Sequence, residues 1–334
     1  MTFTIVGAGL QTTVQDLGRP THQRDAIPGG GAMDRLACRA ANLLVGNSDD
    51  AAVLETTLIG PSIRFHEETL IGLAGGDLGA TIDGKEVGNW RAVAAPADGV
   101  LRFAQPRTGC RSYVAIAGGI DVPAVFGSRA TYLRGNFGGL DGRALRAGDN
   151  VHALPPSPIS RAMLQFVTAA ARQLSTWSLG ATLRPHYSDR AVVRVVDGAH
   201  TPLLTESSRS QLVETEFRVS SSSDRMGYRL EGRALELSAP TELLSEGVTF
   251  GTVQLPPGGA PIVLMADRQT TGGYPRIAEV ASVDLPLIAQ LKPGDRLRFS
   301  VISLAEAQRL YLAQEAELAQ ARAGLTLRFS HRDK

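Results

Sequence analysis

The chain has 334 residues, 34 Lys+Arg against 33 Asp+Glu, a formal net charge of +1 and 43% hydrophobic residues. Near-neutrality leaves no basic field for nucleic acid or an anionic membrane surface. The length is about twice that of a typical domain, so two cores are expected without help from disulfides or structural metal.

The opening Met1–Val6 segment has no basic region followed by a signal-length apolar run. No uninterrupted apolar stretch approaches the ~20 residues of a membrane span, so a cytoplasmic location is expected. The segment Gln11-Thr12-Thr13-Val14-Gln15-Asp16-Leu17-Gly18-Arg19 follows, crowding amides and hydroxyls around one valine. It reads as an edge strand entering a turn at Gly18, or as a row of polar groups aimed at a small ligand; taken alone, the first reading prevails. Pro28-Gly29-Gly30-Gly31-Ala32-Met33-Asp34 then leads into a helix whose apolar positions Leu36, Ala37, Ala40, Leu43 and Leu44 share a face, ended by Gly46-Asn47. A glycine-rich loop at a helix start attracts anions, whereas Asp34 as an N-cap would occupy the same amides. Both readings stand.

Short β-branched runs between Gly and Pro punctuation, such as Tyr113–Ile116, Val192–Val196 and Pro261–Met265, argue for barrels or sandwiches. Leu297–Val301 alternates with the period of a half-buried strand. Cys38 and Cys110 read as small buried thiols without metal spacing. Leu145-Arg-Ala-Gly148-Asp149 and Leu291-Lys-Pro-Gly294-Asp295 form a weak internal repeat, each a Gly-Asp turn before a strand. Pro155-Pro-Ser-Pro158 marks a linker, with a helix expected over Ser160–Leu174. Ser303-Leu-Ala-Glu306 is a capping box that opens a helix running to Gly324. Alternating Leu325, Leu327 and Phe329 then predict a final strand. The expected division is 1–155 and 190–302 as β domains, 156–189 as a linker with a helix, and 303–334 as a terminal helix and strand.

Two stretches in the second half carry chemistry. In Ser223-Asp224-Arg225-Met226-Gly227-Tyr228-Arg229, an acid lies between a hydroxyl and arginines; it reads as a surface turn with a weak ion pair or as a site where arginines grip a carboxylate. Asp267-Arg268-Gln269-Thr270-Thr271-Gly272-Gly273-Tyr274-Pro275 issues from the end of an apolar strand, a usual way to present polar groups on a rigid scaffold. The three lysines, Lys85, Lys292 and Lys334, fit neither a phosphate-binding loop nor a biotin attachment site, which needs flanking methionines. His22, His66, His152, His186, His200 and His331 form no helical ligand pair, so no metal is expected. No nucleophile elbow occurs.

These blocks, with Ala41–Asn47, Glu55, Gly60-Pro61, Ala117–Ile120, Gly127-Ser-Arg129, Thr131 and Ser245-Glu-Gly247, resemble the family called allophanate hydrolase subunit 2, KipA-like proteins or 5-oxoprolinase C subunits. The same module forms part of the carboxyltransferase region of urea carboxylase. The resemblance covers the whole chain, with one departure: Gly30 stands where the family commonly has serine. It implies a mainly β protein of two cyclophilin-like β-barrels with a few helices. It implies partners too: a KipI-like protein, the allophanate hydrolase subunit 1 that serves as the B component of 5-oxoprolinase, and a LamB/YcsF-type A component. The complex would use ATP to open the lactam of 5-oxoproline. From the chemistry of the residue types and the density of these motifs, Asp224, Arg225, Asp267 and Arg268 are the candidate catalytic residues. Gln11, Thr12, Thr13, Gln15, Asp34, Gln269, Thr270, Thr271 and Tyr274 are the candidate contacts to a small amide substrate, in a pocket formed by loops of both halves. Replacing Asp267 by Ala is expected to abolish activity and spare the fold. Competing readings are carboxyl transfer from biotin carried on another chain, and a non-enzymatic KipA-like regulator.

Overall fold

The computed structural model describes residues 1–170, 173–239 and 243–330. The chain is mainly β and divides into two compact units. The first comprises Met1–Gly18, Asp34–Pro185 and Ala316–Lys334; the second comprises Arg19–Met33 and His186–Glu315.

The first unit contains two six-stranded sheets. One runs in the order Asn150–His152, Thr2–Gly7, Ser62–Phe65, Val100–Arg102, Thr81–Ile82, Lys85–Glu86. The other runs Leu174–Ser178, Arg91–Ala95, Thr69–Asp77, Thr108–Ile116, Val53–Thr57, Gln11–Gln15. Phe3, Ile5, Ile63, Phe65, Leu54, Ile71, Val93 and Val114 belong to one buried cluster drawn from both sheets. Each such side chain contributes about 1.5–3 kcal/mol by leaving water. Helix α1, Arg35–Leu44, lies against the second sheet, and Gly72 shows how closely: a methyl there would fall 2.2 Å from the Ala41 carbonyl oxygen. Helix α2, Pro158–Ala169, is capped by Ser157, whose hydroxyl accepts from Ser160 N at 3.0 Å, with Pro158 in the first turn.

The second unit is built on a closed seven-stranded barrel. Around it the order is Arg190–Asp197, Arg276–Val280, Thr252–Gln254, Ile262–Leu264, Gly227–Glu231, Phe217–Val219 and Arg296–Val301. The last strand closes on the first in parallel register, Val193 opposite Phe299. Its period-two pattern buries Leu297 and Phe299 and exposes Arg298, as alternation requires. Helices α3, Glu206–Glu214, and α4, Leu285–Ala289, complete this unit.

Both halves of the weak repeat form the same turn. Gly148 and Gly294 adopt φ of 92° and 95°, open to glycine at no steric cost. Asp149 Oδ2 accepts from Arg146 N at 2.7 Å, and Asp295 Oδ2 accepts from Lys292 N at 3.0 Å. A strand begins at the residue after each aspartate.

Two expectations are corrected. Helix α2 stops at Ala169, and Leu174 opens a strand paired with Val93. The expected final strand is helical: helix α5 runs from Leu304 to Ser330 without a break at Gly324. Phe329 accounts for this. It is 3% exposed, with its ring centroid 5.0 Å from Trp177 and 5.8 Å from Phe166, so packing of one side of the helix overrides the alternation of Leu325, Leu327 and Phe329. His331 and Lys334 lie outside the described residues. At the other end of α5, Ser303 Oγ accepts from Glu306 N at 3.1 Å, while the Glu306 carboxylate pairs with Arg309 rather than turning back to the cap.

Candidate active site

In the second unit, the loop after the strand Ile262–Leu264 meets the triglycine segment. Gly30 N donates to the Ala266 carbonyl at 3.1 Å, and Arg19 N donates to the Gly29 carbonyl at 2.7 Å. Asp267 N donates to the Arg225 carbonyl at 2.8 Å, which places the two side chains beside one another. Arg225 Nε donates to Asp267 Oδ2 at 2.9 Å and Nη2 to Oδ1 at 3.2 Å. The same Nη2 donates to the Gly31 carbonyl at 2.6 Å. Both side chains are buried, at 8% and 4% exposure, so the pair is held in a medium where charge is only weakly screened.

Two further cations border the triglycine. A methyl built on Gly30 would lie 3.0 Å from Arg19 Nη1 and 3.7 Å from Asp267 Oδ1, and one on Gly29 would lie 4.0 Å from Arg268 Nη1. Gly30 also has φ of 60°, so this position is shaped both by its backbone and by the guanidinium beside it. Arg19, buried to 1% exposure, is a residue that sequence reasoning misses; its position at the end of a polar run gives no sign that it borders the triglycine. Of the remaining loop residues, Arg268, Gln269 and Thr270 are half-buried, and Thr271 and Tyr274 are exposed. Asp224 is exposed, and its Oδ1 accepts from Met226 N at 2.8 Å and Gly227 N at 3.3 Å. That carboxylate closes a turn, while its neighbour Arg225 points to Asp267.

The candidates from the N-terminal segment belong to the first unit and are mostly committed there. Thr12, Thr13, Gln15 and Asp34 are buried, and Gln11 is half-buried. Thr12 Oγ1 donates to the Ala8 carbonyl at 2.7 Å. Gln15 Nε2 donates to Thr13 Oγ1 at 3.0 Å and to the Thr131 carbonyl at 3.2 Å; its Oε1 is buried with no hydrogen-bond partner among the described residues. Asp34 caps helix α1, its Oδ1 accepting from Ala37 N at 2.8 Å. Its own amide donates to the Tyr113 hydroxyl at 2.8 Å, which in turn donates to Glu55 Oε2 at 2.8 Å. Burial and the nearby Glu55 and Asp34 carboxylates push the Tyr113 phenol well above its ordinary range. Cys38 is raised likewise, first by burial and then by Asp16, Glu55, Asp34 and Asp49. Asp16 accepts from Ser128 Oγ and Arg129 N, both at 2.6 Å, so the motif at Gln11–Arg19 and the motif at Gly127–Arg129 are joined by a structural carboxylate.

Residues 26–301 match the family model described as the carboxyltransferase domain, subdomain A and B. The chain belongs to this family. Among curated relatives, this carboxyltransferase-family chain is 36% identical over 312 residues to the 5-oxoprolinase C subunit of Haemophilus influenzae, covering 93% of this chain and 95% of that one. It is 37% identical to the 5-oxoprolinase C subunit of Escherichia coli, covering 95% and 96%. Among solved structures, the urea amidolyase of K. lactis superposes with a TM-score of 0.86 at 28% identity, over 96% of this chain and 20% of that one. The chain thus spans only a fifth of the urea amidolyase but nearly all of the two 5-oxoprolinase C subunits. Among the described residues, no helix is long and apolar enough to cross a membrane, and no group of three His, Cys, Asp or Glu is placed to hold a metal ion.

Proposed function

We propose that this chain is the C-type subunit of a cytoplasmic, ATP-dependent 5-oxoprolinase complex that opens the lactam of 5-oxoproline to glutamate. One observation carries the reading: the match to two 5-oxoprolinase C subunits runs almost end to end on both sides. Its partners would be a KipI-like B component and a LamB/YcsF-type A component.

A lactam resists water because its nitrogen donates into the carbonyl, so the carbonyl must be activated and the developing oxyanion stabilised. ATP would supply that activation in the complex. The three lysines of this chain form no phosphate loop, and no ATP site is assigned to it. Its contribution would come from the triglycine loop and the residues bordering it. Arg268, half-buried beside the triglycine, would receive the substrate carboxylate, as a guanidinium fork suits that group. Asp267, fixed by two contacts from Arg225, would hold or pass a proton in one orientation. Gln269, Thr270, Thr271 and Tyr274 would orient the ring amide. Gln11, Thr12, Thr13, Gln15 and Asp34 would act by shaping the first unit, and Asp224 by shaping its turn.

The test is reconstitution: the purified chain with its B- and A-type partners, 5-oxoproline and ATP, followed by measurement of glutamate and ADP. Absence of glutamate from a fully assembled complex would reject the proposal. The second reading, carboxyl transfer from biotin borne by another chain, is supported by the family match and the urea amidolyase superposition. It predicts bicarbonate-dependent carboxylation of an amide nitrogen instead.

A further inference from the structure

We infer that Gln23 and Gln254 are positioning residues that hold the Asp267–Pro275 loop in its working geometry, an inference that rests on the reading of this loop as part of the active site. Gln23 stands in the 3-10 turn Pro20–Asp25, and its amide nitrogen donates to two carbonyl oxygens at once, Val248 at 3.1 Å and Thr270 at 2.9 Å. Those carbonyls sit at the root of a small ribbon in which Glu246 pairs with Gly272 and Gly247 with Thr271. Val248 N donates to the same Thr270 carbonyl at 3.1 Å, so the amide of Gln23 closes the ribbon where the main-chain ladder ends.

Gln254 braces the loop from the barrel side. It lies in the strand Thr252–Gln254 at 1% exposure; its Nε2 donates to the Tyr274 carbonyl at 3.4 Å, and its Oε1 accepts from Gln269 Nε2 at 3.3 Å. A methyl on Gly272 would lie 2.5 Å from Gln254 Nε2, so the missing side chain there is what admits the amide. Arg276 Nη2 donates to Glu246 Oε2 at 2.5 Å and ties the strand that follows the loop to the far side of the ribbon. A primary amide gives Gln23 the two N–H donors it uses, and gives Gln254 both the donor and the acceptor it uses. A carboxylate at position 23 would face two carbonyl oxygens with no proton to offer.

The test is hydrogen exchange by mass spectrometry on the full chain, comparing wild type with Gln23→Ala, Gln23→Glu and Gln254→Leu, with the strand Arg190–Asp197 as internal control. Peptides covering 246–248 and 267–276 should exchange about five- to tenfold faster in each variant while the control strand is unchanged, and Gln23→Glu should exceed Gln23→Ala. Should the buried substitution Gln254→Leu prevent folding, the two variants at the exposed Gln23 decide the question alone. Unchanged exchange in both Gln23 variants overturns the inference. In the reconstituted complex, kcat should fall several-fold more than KM rises. Faster loop exchange with unaltered turnover would leave the bracing intact and sink the active-site reading of the loop instead.

Discussion

Arg225 holds Asp267 through both Nε and Nη2, and the Nη2 that completes the pair also donates to the Gly31 carbonyl. One buried guanidinium therefore fixes the acid and the triglycine together. Asp267→Ala would leave that guanidinium buried and unbalanced, so a loss of about 3–5 kcal/mol is expected in urea denaturation, along with turnover. The structure revises the simpler expectation that this substitution spares the fold. The double variant Asp267→Leu with Arg225→Met should recover most of the stability without restoring activity; recovery of activity would remove both residues from the chemistry.

The buried thiol and phenol of the first unit predict an alkaline limit. Cys38 and Tyr113 both have folded-state values well above their ordinary 9.0 and 10.0. The unfolded chain therefore loses these protons first as pH rises, and stability present below pH 9 declines above it. Cys38→Ala should flatten that decline from roughly pH 9 upward, and Tyr113→Phe should flatten it from roughly pH 10 upward. Chemical denaturation across this range checks the slopes. Tyr113→Phe should also cost about 1–3 kcal/mol at neutral pH, because the Asp34 amide loses a buried acceptor.

The terminal helix supplies a third prediction. Phe329→Ala removes a ring that packs edge-on against Trp177 and Phe166, and about 3–5 kcal/mol should be lost. Leu327→Ala, at a position 67% exposed, should change stability by less than about 0.5 kcal/mol. A strand would have put Leu327 and Phe329 on one face and made the two substitutions alike. Thermal melts of the two variants separate these outcomes.

At the acid end, the hydrogen bond from Arg143 holds the Asp149 carboxyl below its ordinary value. A depressed carboxyl stabilises the fold above the unfolded value of 3.8, and that contribution disappears as pH falls through the folded one. Asp149→Asn should accordingly make the acid limb shallower, and its denaturation midpoint should converge with that of wild type at the lowest pH.

Much of the scaffold is legible in the chain because local chemistry dictates it. Asp34 caps α1, Ser303 caps α5, and the Gly148-Asp149 and Gly294-Asp295 turns recur because each rests on a side chain bonding to amides within three residues. The stretch around Leu325, Leu327 and Phe329 misleads because its conformation is decided by Trp177 and Phe166, about 150 residues earlier in the chain. Within the candidate site, Arg225 and Asp267 are legible as charged residues in polar motifs that run into glycines, but their pairing is not. Nothing marks Gln254, a polar residue between buried Val253 and Leu255, as a brace for a loop that begins more than ten residues later. Gln23, in a polar turn, looks like surface until Val248 and Thr270 are seen to share its amide.

The chain enters each unit more than once. Residues Arg19–Met33 leave their neighbours to join the second unit, and Ala316–Ser330 return to the first. On a ribosome, the N-terminal unit therefore cannot be finished until the last turns of α5 have emerged, and cutting the gene at a single point between the halves would strip both products of a segment they need.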